Sequence, residues 1–424
     1  MKKFKTIIFL GISVLGLAQR PAPAPSQKNP IAITNATIHT GNGNVLQNAS
    51  IVFENGKITQ VNGVIPSNAE IINAQNKHVY PGFILVNNTL GLVEIEATRA
   101  TVDTQEANDI TPEVRSLISF NTDSHVIPTV RTNGILLTQP VLKSGTISCT
   151  SSIMNLDGWN WEDAVEEKDN AIHMSWPTIS TRFFDEKREA ERKEMRAKKL
   201  EELKSLFTRA KAYQKNNVKD YKLEAIQPVF NKMKLFVDVS SANEALEVIK
   251  FAKDLDLKNV VLIGDANLEP VLDDIKNSNF PLIITRVHSL PTGNSMSPRL
   301  PYQFAKLVSD KGILYGLDYS GDMEYQGSRN LPFLAGTTVA YGVEKEKALQ
   351  SISYNIAKIL GIDNNFGSLE VGKSATLFIS EGDALDQLTN QVTEAFIDGR
   401  KINLNNQQKE LYNRYKAKYS SINK

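Results

Sequence analysis

Three aspartates stand at the ends of short apolar runs: Asp238 after Leu235-Phe236-Val237, Asp265 after Ile263-Gly264, and Asp318 after Gly316-Leu317. Carboxylates gathered at one end of a set of strands can hold a hard cation through oxygen, or can work as an acid and base with split pKa values. The competing task is capping a following helix, which aspartate does well where a strand turns into one. Capping is the expectation for Asp265, while Asp238 and Asp318 are carried forward as site candidates. The five histidines are His39, His78, His125, His173 and His288. No two of them fall in an H-x-H or H-E-x-x-H spacing that would clamp a metal. His39 and His78 lie among N-terminal strands, His125 at a helix start, and His173 in a loop before Trp176-Pro177. His288 follows the strand Leu282 to Thr285 and joins the candidate pocket, because it can reach the same strand ends. Cys149 is the only cysteine. It can form no disulfide within the chain, and no cation beside it in Gly145-Thr146-Ile147-Ser148-Cys149-Thr150 would create a thiolate, so it reads as a small apolar filler.

Positioning these residues requires a scaffold, and the hydrophobic pattern supplies one. Short apolar strands at 134–137, 234–239, 259–263, 280–285 and 312–317 alternate with helical spacing at 243–254, 268–276 and 301–309. Such alternation implies parallel β/α units with sites at the C-terminal ends of the strands. Helices at 331–341 and 345–360 close the series. Before it, residues 31–80 alternate with period two around Asn55-Gly56, the strongest short hairpin signal. After it, the runs 375–379 and 392–402 read as strands able to complete the N-terminal sheet. The fold expected is α/β: a TIM-like (β/α)8 barrel over 81–365, open to distortion, with a small composite β-sandwich from 31–80 and 366–404. A polar helix over 405–424 ends the chain.

The remaining segments bear on context. Lys2, Lys3 and Lys5 precede an apolar run from Thr6 to Leu17, with Gly16 and Ala18 ahead of Gln19. This is the grammar of a secretory signal over residues 1–18, and the run is shorter than the ~20 residues that span a bilayer. Export to a periplasm or to the exterior is therefore expected, with no membrane anchor. Four prolines between Arg20 and Pro30 favour an extended solvated linker over 19–30. The chain has 48 basic and 47 acidic residues, so it lacks the positive excess that a nucleic-acid partner would call for. Mixed charges from Phe183 to Lys215 suggest a solvated helix whose stripe of Leu200, Leu203, Leu206 and Phe207 packs on its own barrel rather than on a partner. Trp159 and Trp161 lie in a glycine-containing loop that could shield the barrel mouth or line a pocket; packing is the alternative. The loop from Ser289 to Pro301 reads as passive rather than as a lid.

This order of parts resembles the amidohydrolase superfamily, in particular the imidazolonepropionase-like cyclic amidohydrolases. Three segments carry the likeness, which spans about residues 31–404: Gly56-Lys57-Ile58 in the first hairpin, His78-Val79-Tyr80-Pro81-Gly82-Phe83-Ile84 at the entry to the barrel, and Leu360-Gly361-Ile362 with Gly367-Ser368-Leu369-Glu370-Val371-Gly372-Lys373 at the return. In that family the Pro-Gly-Phe-Ile segment runs into Asp-x-His-x-His, whose histidines bind a divalent metal, usually zinc, that generates hydroxide. Here the matching positions are Leu85, Asn87 and Thr89. An amide oxygen and a hydroxyl replace the nitrogen lone pairs that suit zinc. The family's fifth-strand histidine corresponds to Asp238, and its sixth-strand histidine falls near Gly264. Its eighth-strand aspartate, a ligand and proton acceptor, is matched by Asp318.

The resemblance with these departures implies a protein that has lost metal-dependent C–N hydrolysis. Its expected site is Asp318 as the surviving catalytic position, with Asn87, Thr89, Asp238 and His288 around it, no metal ligands and no cofactor. Its expected partner is a small molecule or an active homologous amidohydrolase, in a homo- or hetero-oligomer. The alternative is an active hydrolase of non-peptide C–N bonds with a rearranged zinc or other divalent metal site.

Overall fold

The computed structural model describes residues 22–178, 186–214, 219–292, 296–321 and 323–422. The expected export signal lies outside these residues, as does part of the 289–301 loop.

The two ends of the chain build one sheet. Strands β1 (Ile31–His39), β2 (Val45–Glu54), β3 (Lys57–Val61), β4 (Glu70–Asn73) and β5 (His78–Pro81) come from the N-terminal part. After the barrel, β14 (Leu377–Ser380), β15 (Val392–Ile397) and β16 (Arg400–Lys401) return to it. The order is β16-β15-β14-β5-β1-β2-β3, with β4 beside the first half of β1. The Asn55-Gly56 turn has φ of 51° and 78°, the left-handed pair that a two-residue hairpin demands. Ile58 N–H then donates to Lys373 O at 2.9 Å, and Ala375 N–H to Gly56 O at 2.8 Å. The composite unit is thus one sheet curled on itself rather than two separate sheets, and Phe53 meets Phe396 edge-on at 5.1 Å in its core.

The second sheet is the barrel: β6 (Phe83–Asn88), β7 (Ile135–Pro140), β8 (Ile147–Asn155), β9 (Val165–Ser175), β10 (Lys234–Asp238), β11 (Val260–Gly264), β12 (Leu282–Ile284) and β13 (Tyr315–Leu317), paired in sequence order. All neighbours are parallel except β8, which runs antiparallel to both β7 and β9. Two features distort the expected eightfold pattern. The reversed β8 is one. The other is the seam, where β6 and β13 do not pair directly. The expected helix over 345–360 breaks into Lys345–Gln350 and Tyr354–Leu360, and the intervening residues enter the gap. Ile84 N–H donates to Ile352 O and Leu317 N–H to Ser351 O, each at 2.9 Å.

Alternation along the strands sorts side chains to two sides. Ile84, Val86, Leu137, Ile153, Ala171, Phe236, Val261, Ile263 and Ile283 fill the barrel interior and are all buried. Their alternates pack outward against the helices. Ile283→Val, which removes one interior methylene, is expected to cost about 1 kcal/mol. A guanidinium melt showing no loss would mean that the interior is not packed as described.

The charged helix runs Glu186–Ala212. It buries Leu203, Leu206, Phe207 and Ala210, with Phe207 edge-on to Phe251 at 5.3 Å, so its stripe serves its own barrel. The reversal of β8 moves the tryptophan loop. Because β8 runs from the mouth to the opposite end, residues 156–164 turn at the base of the barrel. Trp159 there is exposed, at the end of the barrel away from the mouth, so of the roles open to this loop shielding the mouth is not one. The proline-rich stretch departs from a solvated linker as well. Ala24 N–H donates to Asp157 Oδ2 at 2.8 Å, Gln27 Nε2 reaches Phe53 O at 2.8 Å, and Gly56 N–H donates to Gln27 Oε1 at 3.1 Å. Buried carboxylate and backbone groups thus pin the segment to both domains.

Candidate functional site

The site is built at the C-terminal ends of the barrel strands, beginning with an irregularity in β6. Its pairing with β7 slips between Leu85 and Asn88, and Asn87 sits at φ 52°. Asparagine tolerates this left-handed conformation better than branched residues, and a bulge re-aims the side chain that it carries. The Asn87 amide turns inward, and Nδ2 donates to Asp318 Oδ2 at 2.9 Å. Its Oδ1 and its main-chain O accept from Lys143 Nζ at 2.8 and 2.9 Å. Beside this pair, Asn88 Nδ2 donates to Tyr319 O at 3.1 Å. Main chain closes the seam at its base, and side chains close it at the mouth.

Asp318 is wholly buried, and its Oδ1 has no hydrogen-bond partner among the described residues. Burial disfavours the charged carboxylate. Against the opposing pull of Lys143 and the Asn87 hydrogen bond, burial still drives the Asp318 pKa up to about 7. A second chain of polar groups lines the next three strands. Gln139 Oε1 accepts from Asn87 N–H at 3.3 Å, and its Nε2 donates to Ser151 Oγ at 3.1 Å. Ser151 Oγ lies 2.9 Å from His173 Nε2. His173 is a buried β9 residue stacked on Phe236 at 4.8 Å, not the loop residue expected. Burial, then the charge of Lys143, hold its pKa well below the ordinary histidine value, so the ring is neutral.

The structure therefore joins Asn87 to Asp318 and leaves the other candidates in different places. Thr89 is buried just beyond β6, and no hydrogen bond among the described residues ties its hydroxyl to this network. Asp238 is exposed, yet protein crowds its carboxyl enough to raise its pKa by burial, with Lys143 opposing. Both facts hold for a group at the floor of a concave mouth. His288 is not brought to the network: its Nε2 bonds Thr337 Oγ1 at 2.6 Å, and its ring leans on Tyr302. The turn after β12 carries it to the helix layer instead. Asp265 caps the turn that follows it, accepting from Asn267 N–H at 2.9 Å. Cys149 is buried, with its thiol pKa pushed up to about 11 by that burial.

Lys143 is the residue that sequence reasoning missed. The only signal was a single cation between two apolar strands, in Pro140-Val141-Leu142-Lys143-Ser144. The β7–β8 turn places it at the mouth because β8 reverses there. Among the described residues, Asn87, Lys143, His173 and Asp238 help to line a cavity of about 30 Å³ at the mouth, room for a water or two.

The model of the amidohydrolase family matches residues 138–402. This chain belongs to the amidohydrolase family. Its fold is similar to an amidohydrolase from Thermotoga maritima MSB8, with a TM-score of 0.77 at 22% identity over 88% of this chain and 99% of that one. Lesser likenesses join it to molinate hydrolase (TM-score 0.52, 14% identity, 90% of this chain and 95% of that one) and to a putative prolidase from Bifidobacterium longum (0.51, 19%, 88% and 94%). No curated protein sequence matches the chain.

The divalent metal that an amidohydrolase barrel implies does not fit the donors present. The amide oxygen of Asn87 is already taken by an ammonium, and Asp318 is held near neutrality. No group of three histidine, cysteine, aspartate or glutamate side chains among the described residues is arranged to hold an ion. A divalent cation set between Asn87 and Asp318 would meet the Lys143 charge at close range, where like charges repel by several kcal/mol.

Proposed function

We propose that this chain is an exported amidohydrolase-fold protein of the imidazolonepropionase-like branch that does not hydrolyse C–N bonds. It works instead as a binding protein for a small molecule or as the partner of an active homologue. The observation that carries this reading is the Lys143 ammonium bonded to both oxygens of Asn87 beside the buried Asp318. A fixed cation there supports the main-chain turn and partly offsets the carboxyl's charge, but it supplies neither a Lewis acid nor a hydroxide. Asp318, with a pKa near neutrality, has the proton affinity of a general acid or base. Its complete burial among the described residues speaks for a structural rather than a catalytic use of that group.

The test is metal content and turnover together. Protein purified without chelator is expected to carry far less than one zinc per chain and to leave cyclic and linear amides intact. Changing Asn87→His and Thr89→His alone is expected to add little zinc affinity, because Lys143 stays. Adding Lys143→Ala to that pair is expected to raise zinc binding. Stoichiometric zinc with turnover in the unaltered chain would overturn the proposal in favour of an active hydrolase with a rearranged site.

A further inference from the structure

The last helix of the fold, Gln407–Ile422, is tied to the barrel at its first turn. Asn406 is buried, and its Oδ1 accepts from Lys409 N–H at 2.8 Å. Asn405 Nδ2 donates to Glu410 Oε1 at 2.8 Å, and Thr129 Oγ1 donates to Gln408 Oε1 at 3.0 Å. From residue 407 to residue 420 every side chain is exposed. A helix of this length gains little from its own hydrogen bonds in water, and packing on a second surface is what ordinarily sustains one. Among the described residues the barrel gives it no buried face.

The exposed residues are sorted around the helix. At 3.6 residues per turn, Leu411, Tyr415, Tyr419 and Tyr412 fall within an arc of about 100°. The least exposed of the four is at 37% and the most at 63%, so they form one aromatic face rather than scattered surface rings. Arg414 borders this arc on one side, and Lys409 and Lys416 border it on the other. Lys416 Nζ lies 5.5 Å from the centre of the Tyr412 ring, and Lys418 Nζ lies 5.5 Å from that of Tyr419. Such contacts leave the positive charge in place. The one carboxylate of the helix, Glu410, points away from the arc and is held by Asn405.

We infer that this helix attaches the chain peripherally to an anionic phospholipid surface. It lies in the plane of the surface, with Leu411 and the three tyrosines at headgroup depth and with Lys409, Arg414 and Lys416 on lipid phosphates. A tyrosine ring has an apolar body and a wet hydroxyl, which suits the boundary between acyl chains and water. Cations on both edges of the arc match a sheet of negative charge that extends to both sides of it. The same cations oppose a second copy as the occupant, because two such faces brought together would set like charges along both rims. The attachment does not cross the bilayer: no helix among the described residues is long and apolar enough to span one. This role belongs to the end of the chain and stands apart from whatever the barrel binds or hydrolyses.

The chain from Gln19 onward, without the expected apolar export signal, is floated with vesicles of phosphatidylglycerol and phosphatidylcholine in equal parts, and with vesicles of phosphatidylcholine alone. It is expected to float with the first and not with the second, and added salt is expected to weaken the binding. Arg414→Gln and Lys416→Gln are each expected to lower affinity about fivefold, the scale of one basic residue at an anionic surface. Tyr415→Ser, near the centre of the arc, keeps the charge and is expected to lower affinity by a comparable factor. All three positions are exposed, so unfolding midpoints are expected to stay where they are. Equal binding to both vesicles, binding to neither, or unchanged affinity in Tyr415→Ser would each overturn the inference. Sedimentation of the protein without vesicles tests the rival occupant: a dimer that Tyr415→Ser dissolves would assign the face to a second copy.

Discussion

Arg131→Ala is expected to lower the stability of the chain by about 3–5 kcal/mol, the range for breaking a buried ion pair from one side. Arg131 is 5% exposed and Asp157 6%. The guanidinium Nη1 donates to Asp157 Oδ1 at 2.7 Å and to Leu156 O at 3.0 Å. Asp157 Oδ2 in turn accepts from Ala24 N–H and from Arg400 Nη1 at 3.1 Å. One carboxylate therefore ties the base of the barrel to the curled sheet and to the N-terminal segment. Removing Arg131 leaves a buried carbonyl without its donor and a carboxylate with half its countercharge. Arg400→Ala is expected to cost less, because Arg400 is more exposed than Arg131 and the Arg131–Asp157 pair survives. Urea unfolding at neutral pH measures both. A loss under about 1 kcal/mol for Arg131→Ala would show that this junction does not join the domains energetically.

The contribution of Asp318 to stability is expected to fall as pH rises from about 4 to 8, opposite to the usual trend for a carboxylate in an ion pair and opposite to the contribution of the buried, neutral His173. Asp318 has an ordinary value of 3.8 and a folded value of about 7. Between those values the unfolded chain has released the proton and the folded chain retains it, so raising the pH favours unfolding. The stability associated with the protonated carboxyl is whole below the unfolded pKa and is lost as pH passes through the folded one. At ~1.4 kcal/mol per unit, the single group contributes up to about 4 kcal/mol of pH dependence. Glu166 adds in the same direction, its pKa raised by burial and by the neighbouring Asp398. Asp318→Asn is expected to remove this falling contribution while keeping a neutral side chain beside Asn87. Chemical denaturation at half-unit pH steps decides it: an unchanged slope in Asp318→Asn would mean that this carboxyl is ionised throughout.

Local pattern carried much of the fold. The period-two runs and the Asn55-Gly56 turn announced the first sheet, and the apolar strands after residue 234 fell where parallel strands stand. What pattern could not carry was direction and insertion. Strands β8 and β9 were not expected at all, because Ser148, Thr150, Ser151 and Ser152 interrupt the one and Glu166 to Asn170 the other, and no residue in β8 records that it runs backwards. Residues 351–352 read as helix because nothing local signals that main chain must fill the seam between β6 and β13. The site divides along the same line. Asn87 and Asp318 were legible because a motif fixes their strand positions. Lys143 was not, since its place depends on a reversal invisible in sequence. His288 was misplaced because the end of a strand does not specify which way the next turn leads.

The reversed strand has a consequence for access. The turn that crosses the mouth with Lys143 is the link between two paired strands, not a loop hung from a helix. A conventional lid swings at two hinges and exposes what lies beneath at modest cost. Here the cover is anchored on both sides by strands that pair with each other at Leu137–Asn155 and Thr138–Met154. The piece that crosses the mouth is thus a continuation of the barrel wall, and any shift of it is felt by the sheet that carries it.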